Sequence, residues 1–249
     1  MNQENLPTIL TDPYLKASQM EGSSSGYKGL TIHALDGLHE FTATLMQLHC
    51  PVGGSVLDLA AGTGAMSLRL SDMGYKVTAT DYVTENFRLH DSIPFFKADL
   101  NANFALGHEE QFDAIMASEI IEHLENPRHF ARQCFKVLKN GGKVILSTPN
   151  VDSVASIVSF MRNGTFQWFS DTNYIKDGHI TPLTQWQIGK SFVEAGFEFD
   201  WTGSFGDPIE WLRGSPRLLL LSKLIDFLTT HKQDLKNQIF VAALEKPNE

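Results

Sequence analysis

Apolar and polar positions change period twice between Val56 and Leu70. Val56, Leu57 and Leu59 form a short apolar run, Gly62-Thr63-Gly64 interrupts it, and Ala65 to Leu70 resume a helical spacing. The stretch predicts strand, glycine turn, helix. Upstream, Leu35, Leu38, Phe41, Leu45 and Leu48 recur at spacings of three and four, which predicts an amphipathic helix from Ile32 to His49 that Pro51 and Gly53-Gly54 end. Downstream, apolar runs predict strands over residues 55–60, 76–81, 94–98, 112–118 and 143–148. Helices fall between them at 65–73, 84–90 and 127–138, with Asn140-Gly141-Gly142 as a stop. Such alternation predicts an α/β fold, a three-layer doubly wound (Rossmann-like) parallel sheet, with the strands' carboxyl ends along one edge.

After Pro149 the pattern changes. A helix is expected at 153–162, then an irregular aromatic segment with Phe166, Trp168, Phe169 and Tyr174, then a helix at 184–195 opened by Thr181-Pro182 and closed by Gly196. Strands follow at 197–202 and 239–244. Gly203 to Asn237, with Trp211 and an apolar helix over 218–228, is too long for a hairpin turn and reads as a cap. Residues 1–30 hold Pro7, Pro13, Tyr14, Tyr27 and a Gly/Ser-rich stretch, the composition of an arm or lid. The expected organisation is an N-terminal helical arm over 1–50, then one domain over 51–249 with insertions at about 151–183 and 203–237.

Charge narrows the partners. Of 249 residues, 20 are basic and 29 acidic, a formal net charge of −9, which argues against nucleic acid or an anionic membrane as the main partner and favours a small uncharged or cationic molecule. Cys50 and Cys134 lie in apolar, helix-like stretches without the spacing of a zinc site or disulfide framework. Neither a basic start with an apolar h-region nor a run of spanning length is seen, so a cytoplasmic, soluble protein is expected.

Candidate chemistry gathers at the predicted carboxyl edge. Gly62 and Gly64 let a ligand approach the backbone ahead of a helix N-terminus. Asp58, ahead of them, discourages a diphosphate and favours a cation or hydroxyl donors. Asp81 ends the next strand, where a carboxylate can accept both ribose hydroxyls. A nicotinamide dinucleotide would use the same place, but its fingerprint wants glycine where Ser67 stands. Asp99-Leu100 ends the third strand, where the carboxylate can accept from an exocyclic amine and the next N–H can donate to a ring nitrogen.

The ordered motifs DLAAGTG, TATDY, KADLN, FDAIMASEIIEHLENP and LKNGGKVILSTPN resemble the class I S-adenosylmethionine-dependent methyltransferases, and within them the small-molecule group that includes the ubiquinone-biosynthesis O-methyltransferases. The resemblance covers residues 55–150 and, more weakly, 179–198. It implies a seven-stranded sheet with an antiparallel last strand. It also implies a cofactor site built by Asp58, Ala60, Gly62, Gly64, Asp81, Tyr82, Asp99, Leu100 and Ser118, with S-adenosyl-L-homocysteine as product. Methyl transfer from a sulfonium needs alignment, plus a base if the acceptor is a hydroxyl, and His123 is the candidate. The Asn/Asp-Pro-Pro-aromatic motif common among methyltransferases of nucleobase or amide nitrogen is replaced by Ser118-Glu119-Ile120-Ile121, which counts against that chemistry; oxygen is expected as the acceptor atom ahead of nitrogen or carbon.

Glu119, Glu122 and His123, at i, i+3 and i+4, would share one face of a helical turn, with His179 within reach. They resemble the metal set of small-RNA 2′-O-methyltransferases, shared by some quinone O-methyltransferases, in which a divalent ion lowers the acceptor's pKa. The expected function is transfer of a methyl group to a small-molecule acceptor, with a homodimer open. A nicotinamide-dependent oxidoreductase and a non-catalytic cofactor-binding module are the other classes to separate.

Overall fold

The central strands have no solvent face, which is why their apolar runs are continuous rather than alternating. The computed structural model describes residues 26–207, 210–228 and 237–248; the first 25 residues of the expected arm and the Trp211 side chain lie outside the described residues. The chain enters through a hairpin, β1 (Gly26–Tyr27) and β2 (Leu30–Thr31), turned at Lys28-Gly29. Helix α1 (Leu38–His49) starts later than its periodicity predicts. Gly37 takes a left-handed φ of 85° at its N-cap, so Leu35 belongs to the preceding turn, and Leu48 is 73% exposed.

Next come β3 (Ser55–Leu59), α2 (Ala65–Asp72), β4 (Lys76–Asp81), β5 (Phe95–Lys97), β6 (Phe112–Ser118), α3 (Pro127–Val137) and β7 (Leu138–Pro149). Asn126 caps α3 by accepting from the His129 N–H, and Pro127 occupies its first position. After these follow α4 (Val154–Asn163), α5 (Asp171–Lys176), α6 (Gln185–Ala195), β8 (Glu198–Phe205), α7 (Pro216–Leu228) and β9 (Ile239–Glu245).

The seven-stranded sheet runs β5-β4-β3-β6-β7-β9-β8. β9 is antiparallel to both neighbours and the other pairings are parallel, as the resemblance implied. Order reverses at β3, so β3, β4 and β6 open a crevice at their carboxyl ends. Two apolar clusters fill the sheet's faces. One joins Leu57, Leu59 and Ile115 to Phe130 and Cys134 of α3 and Phe192 of α6; the other joins Val56, Ala114 and Ile145 to Leu45 and Met46 of α1 and Leu70 of α2.

Two expected elements differ. The helix over 84–90 shrinks to one 3-10 turn, Thr84–Asn86, after which the backbone is extended at Phe87, whose buried ring stacks on Phe95 at 4.8 Å. The stop at Asn140-Gly141-Gly142 falls inside β7: α3 passes directly into extended backbone at Leu138, and Gly141, at φ 75°, donates to the Lys246 carbonyl. β8 runs on to Phe205, paired with Ile239, so the segment after it begins at Gly206.

Candidate functional site

At the carboxyl ends of β3, β4 and β6 lies a cleft of about 480 Å³. Asp58, Ala60, Gly62, Asp81, Tyr82, Asp99, Leu100, Ser118, Glu119, His123 and His179 all line it. Sequence reasoning missed its other walls. Thr31, His33, Ala34, Leu35 and His39 enter from the hairpin and the start of α1, and Lys176 and Asp177 from around α5. The only signal for the first group was the turn at Asp36-Gly37, which breaks the helix read through it. Within the irregular aromatic segment Trp168 faces the cleft, whereas Phe166 stacks on Phe160 at 4.8 Å; Trp186 on α6 is 67% exposed.

Asp81 is held from both oxygens: Oδ2 accepts from the Gly62 N–H and Oδ1 from the Val83 N–H, each at 2.8 Å. Each oxygen keeps acceptor capacity toward the cleft. A Cβ on Gly62 would meet nothing within 4 Å, so the backbone faces open space there. Gly64 does not line the cleft. Its φ is 93°, and a Cβ would lie 2.9 Å from both Leu89 and Phe87, so packing beneath the loop demands the glycine.

Asp58 is 3% exposed, and Oδ2 accepts from the Ser67 hydroxyl at 2.5 Å. Ser67 thus uses the third-glycine position to hold a carboxylate. Burial lifts the Asp58 pKa to about 7, with Asp81 adding repulsion. Asp99 Oδ1 accepts from the Asn101 N–H at 2.9 Å. A buried carboxylate facing the cleft, a braced carboxylate for two hydroxyls and an exposed glycine backbone suit a ligand with a ribose and a cationic amine.

The opposite wall departs from the helical turn expected for SEIIEHL. Glu119 has a left-handed φ of 51°, and only Ile121–His123 form a 3-10 turn. Glu119 therefore leaves the shared face: Oε1 accepts from the Ser147 hydroxyl at 2.9 Å. Glu122, fully buried and outside the cleft lining, accepts from Thr148 Oγ1 through Oε2 at 2.9 Å, while its Oε1 has no hydrogen-bond partner and lies 3.7 Å from His123 Nε2. His123 Nδ1 is 3.1 Å from the Gly178 carbonyl, and its ring meets that of His179 edge-on at 4.8 Å. His179 Nδ1 is 2.7 Å from the Trp168 carbonyl. One ligand atom each from Glu122, His123 and His179 lie within 4.8 Å of one another, and Glu119 is not part of that group. Burial, with His179 beside it, lowers the His123 pKa to about 3; burial raises both glutamates, Glu119 to about 7. The imidazole is thus neutral near neutral pH.

A family described as a methyltransferase domain matches residues 32–200. The ubiquinone biosynthesis O-methyltransferase of Psychrobacter arcticus is 33% identical over 164 residues, covering 58% of this chain and 59% of its own. A mitochondrial protein of that name from Dictyostelium discoideum is 31% identical over 121 residues, covering 41% and 38%. The match spans well under two thirds of either relative. Among solved structures, a SAM-dependent methyltransferase from Archaeoglobus fulgidus superposes with a TM-score of 0.59 at 17% identity, covering 84% of this chain and 94% of that one.

Proposed function

The chain belongs to the class I S-adenosylmethionine-dependent methyltransferases, and on that premise we propose that it methylates a hydroxyl oxygen of a small molecule. One observation carries the reading: a single cleft joins the Asp58, Asp81 and Asp99 carboxylates to His123 on the wall across from them. The cofactor, when bound, supplies an electrophilic methyl group on a sulfonium. In this reading Asp81 holds the ribose hydroxyls, Asp58 meets the α-amino group, and Asp99 with the Leu100 N–H reads the adenine. Ala60, Tyr82 and Ser118 complete the lining, and Gly64 shapes the loop from beneath. His123, its ring fixed through Nδ1 to the Gly178 carbonyl, is the base in this reading and takes the hydroxyl proton.

Oxygen is favoured because the relatives named above are O-methyltransferases and because SEII stands where nitrogen-directed enzymes carry Asn/Asp-Pro-Pro-aromatic. The net charge of −9 supports a small molecule over nucleic acid. Two buried free thiols, Cys50 and Cys134, suit a reducing compartment such as the cytoplasm. The test is calorimetric titration with S-adenosyl-L-homocysteine, then methyl transfer to a panel of phenols, sugars and carboxylates. Binding is expected, with Asp81→Ala weakening it about a hundredfold as two charge-assisted hydrogen bonds disappear. Unchanged binding by that variant would sink the assignment.

The unpartnered Glu122 Oε1 favours a second reading of the same wall, in which Glu122, His123 and His179 hold a divalent ion that lowers the acceptor's pKa. Turnover is then expected to fall on chelation, return with added metal, and stay low in Glu122→Gln. Turnover that survives exhaustive chelation removes the ion and leaves His123 as base.

A further inference from the structure

Helix α7 carries apolar residues on two sides but is packed on only one. Leu218, Leu219, Leu221 and Ile225 join Ala155 and Val158 of α4 and Leu212 in a small cluster away from the main core. On the opposite side Leu220, Leu224, Phe227 and Leu228 fall at i, i+4, i+7 and i+8, a single stripe, with exposures of 71%, 53%, 83% and 65%. Phe160 and Met161 of α4, the helix α7 packs on, are 49% and 63% exposed. Scattered single apolar side chains are ordinary on a surface, but a contiguous bare stripe such as this one marks a contact surface.

We propose that the outward face of α7 is a docking surface for a lipid bilayer. Size argues against a second copy of the chain, because a stable dimer buries about 800 Å² per partner over roughly 20 to 30 residues, and among the described residues this patch offers six side chains on two helices. Charge argues for lipid: Arg217 and Lys223 stand beside the stripe against Asp226 alone on the helix, although the whole chain carries −9. Basic residues flanking an apolar stripe can reach phosphate headgroups while the leucines and Phe227 enter the acyl boundary. No helix of the described residues is long and apolar enough to cross a membrane, so the contact is peripheral.

The inference is independent of the methyl-transfer reading, and flotation of the full chain with vesicles tests it. Phosphatidylcholine vesicles should carry a measurable fraction of the protein, and vesicles containing phosphatidylglycerol a larger one that salt reduces. Leu224→Glu with Phe227→Glu should lower partitioning about tenfold or more, since two apolar side chains leave the acyl boundary. Their exposure predicts an unchanged melting temperature, and S-adenosyl-L-homocysteine binding should match the wild type, which separates failure here from failure of the cofactor assignment. Wild-type protein that stays below the vesicles at every composition overturns the proposal. So does a dimer in light scattering that the same double variant splits while vesicles bind neither form, because the stripe is then a protein interface.

Discussion

Asp58 is placed where its charge is useful only with a partner. Without a cation beside it, burial holds its pKa near 7, against 3.8 for a carboxylate in water. Between about pH 4 and 7 the folded protein therefore keeps a proton that the unfolded chain has released, and stability from this group falls as pH rises through that window and levels off above it. Asp58→Asn removes the dependence. Its melting temperature, relative to wild type, should climb from about pH 5 to about pH 8, because the wild type alone must then bury an unpaired charge. The same logic run with ligand predicts proton release. Cofactor product should bind more tightly as pH rises toward 7 and release close to one proton at about pH 6, read by calorimetry in buffers of different ionisation enthalpy. A release of zero in the wild type, or one retained in Asp58→Asn, would show that the amine lies elsewhere.

At the scale of the element, the glycine loop between β3 and α2 separates two jobs that its motif presents as one. Gly64→Ala places a methyl group 2.9 Å from Leu89 and Phe87 at a φ of 93°, so strain and overpacking add, and about 2–4 kcal/mol of stability should be lost. Gly62→Ala, at φ 54° with nothing within 4 Å, should cost only about 1 kcal/mol, yet it intrudes on the cleft and should weaken S-adenosyl-L-homocysteine at least about tenfold. Thermal melts beside titrations check the pair; equal loss of stability in both would contradict the division of labour. The motif made the loop readable. It could not say which glycine faces ligand, because Phe87 and Leu89, which close in on Gly64, lie in a later, separate segment of the chain.

Over the whole molecule, the cleft joins elements far apart in the chain, from Thr31 on the hairpin to Ile239 at the start of β9, so ligand should stabilise the fold as a unit. At about a hundredfold excess over Kd, S-adenosyl-L-homocysteine should add about 2.7 kcal/mol, a rise of roughly 5–10 °C for a domain of this size. NADH should add nothing, since Ser67 is buried against Asp58 where a dinucleotide fold keeps glycine. A rise with NADH but not with the homocysteine would reverse the cofactor assignment.

The sequence by itself determined the parallel order of strands and helices and the placement of Asp58, Asp81 and Asp99 at one sheet edge. Those features rest on local period and on the handedness of crossovers, which act over a few residues at a time. It also brought His123 and His179 into one hypothesis. Only the tertiary structure decided that Glu119 turns away to Ser147 while Glu122 stays with the two histidines, because a left-handed φ at Glu119 breaks the helical face that i, i+3, i+4 spacing assumes. Only the tertiary structure, too, set His33 and His39 in the cleft wall and left one side of α7 bare. Burial depends on what packs opposite a residue, and that partner lies far away in the chain.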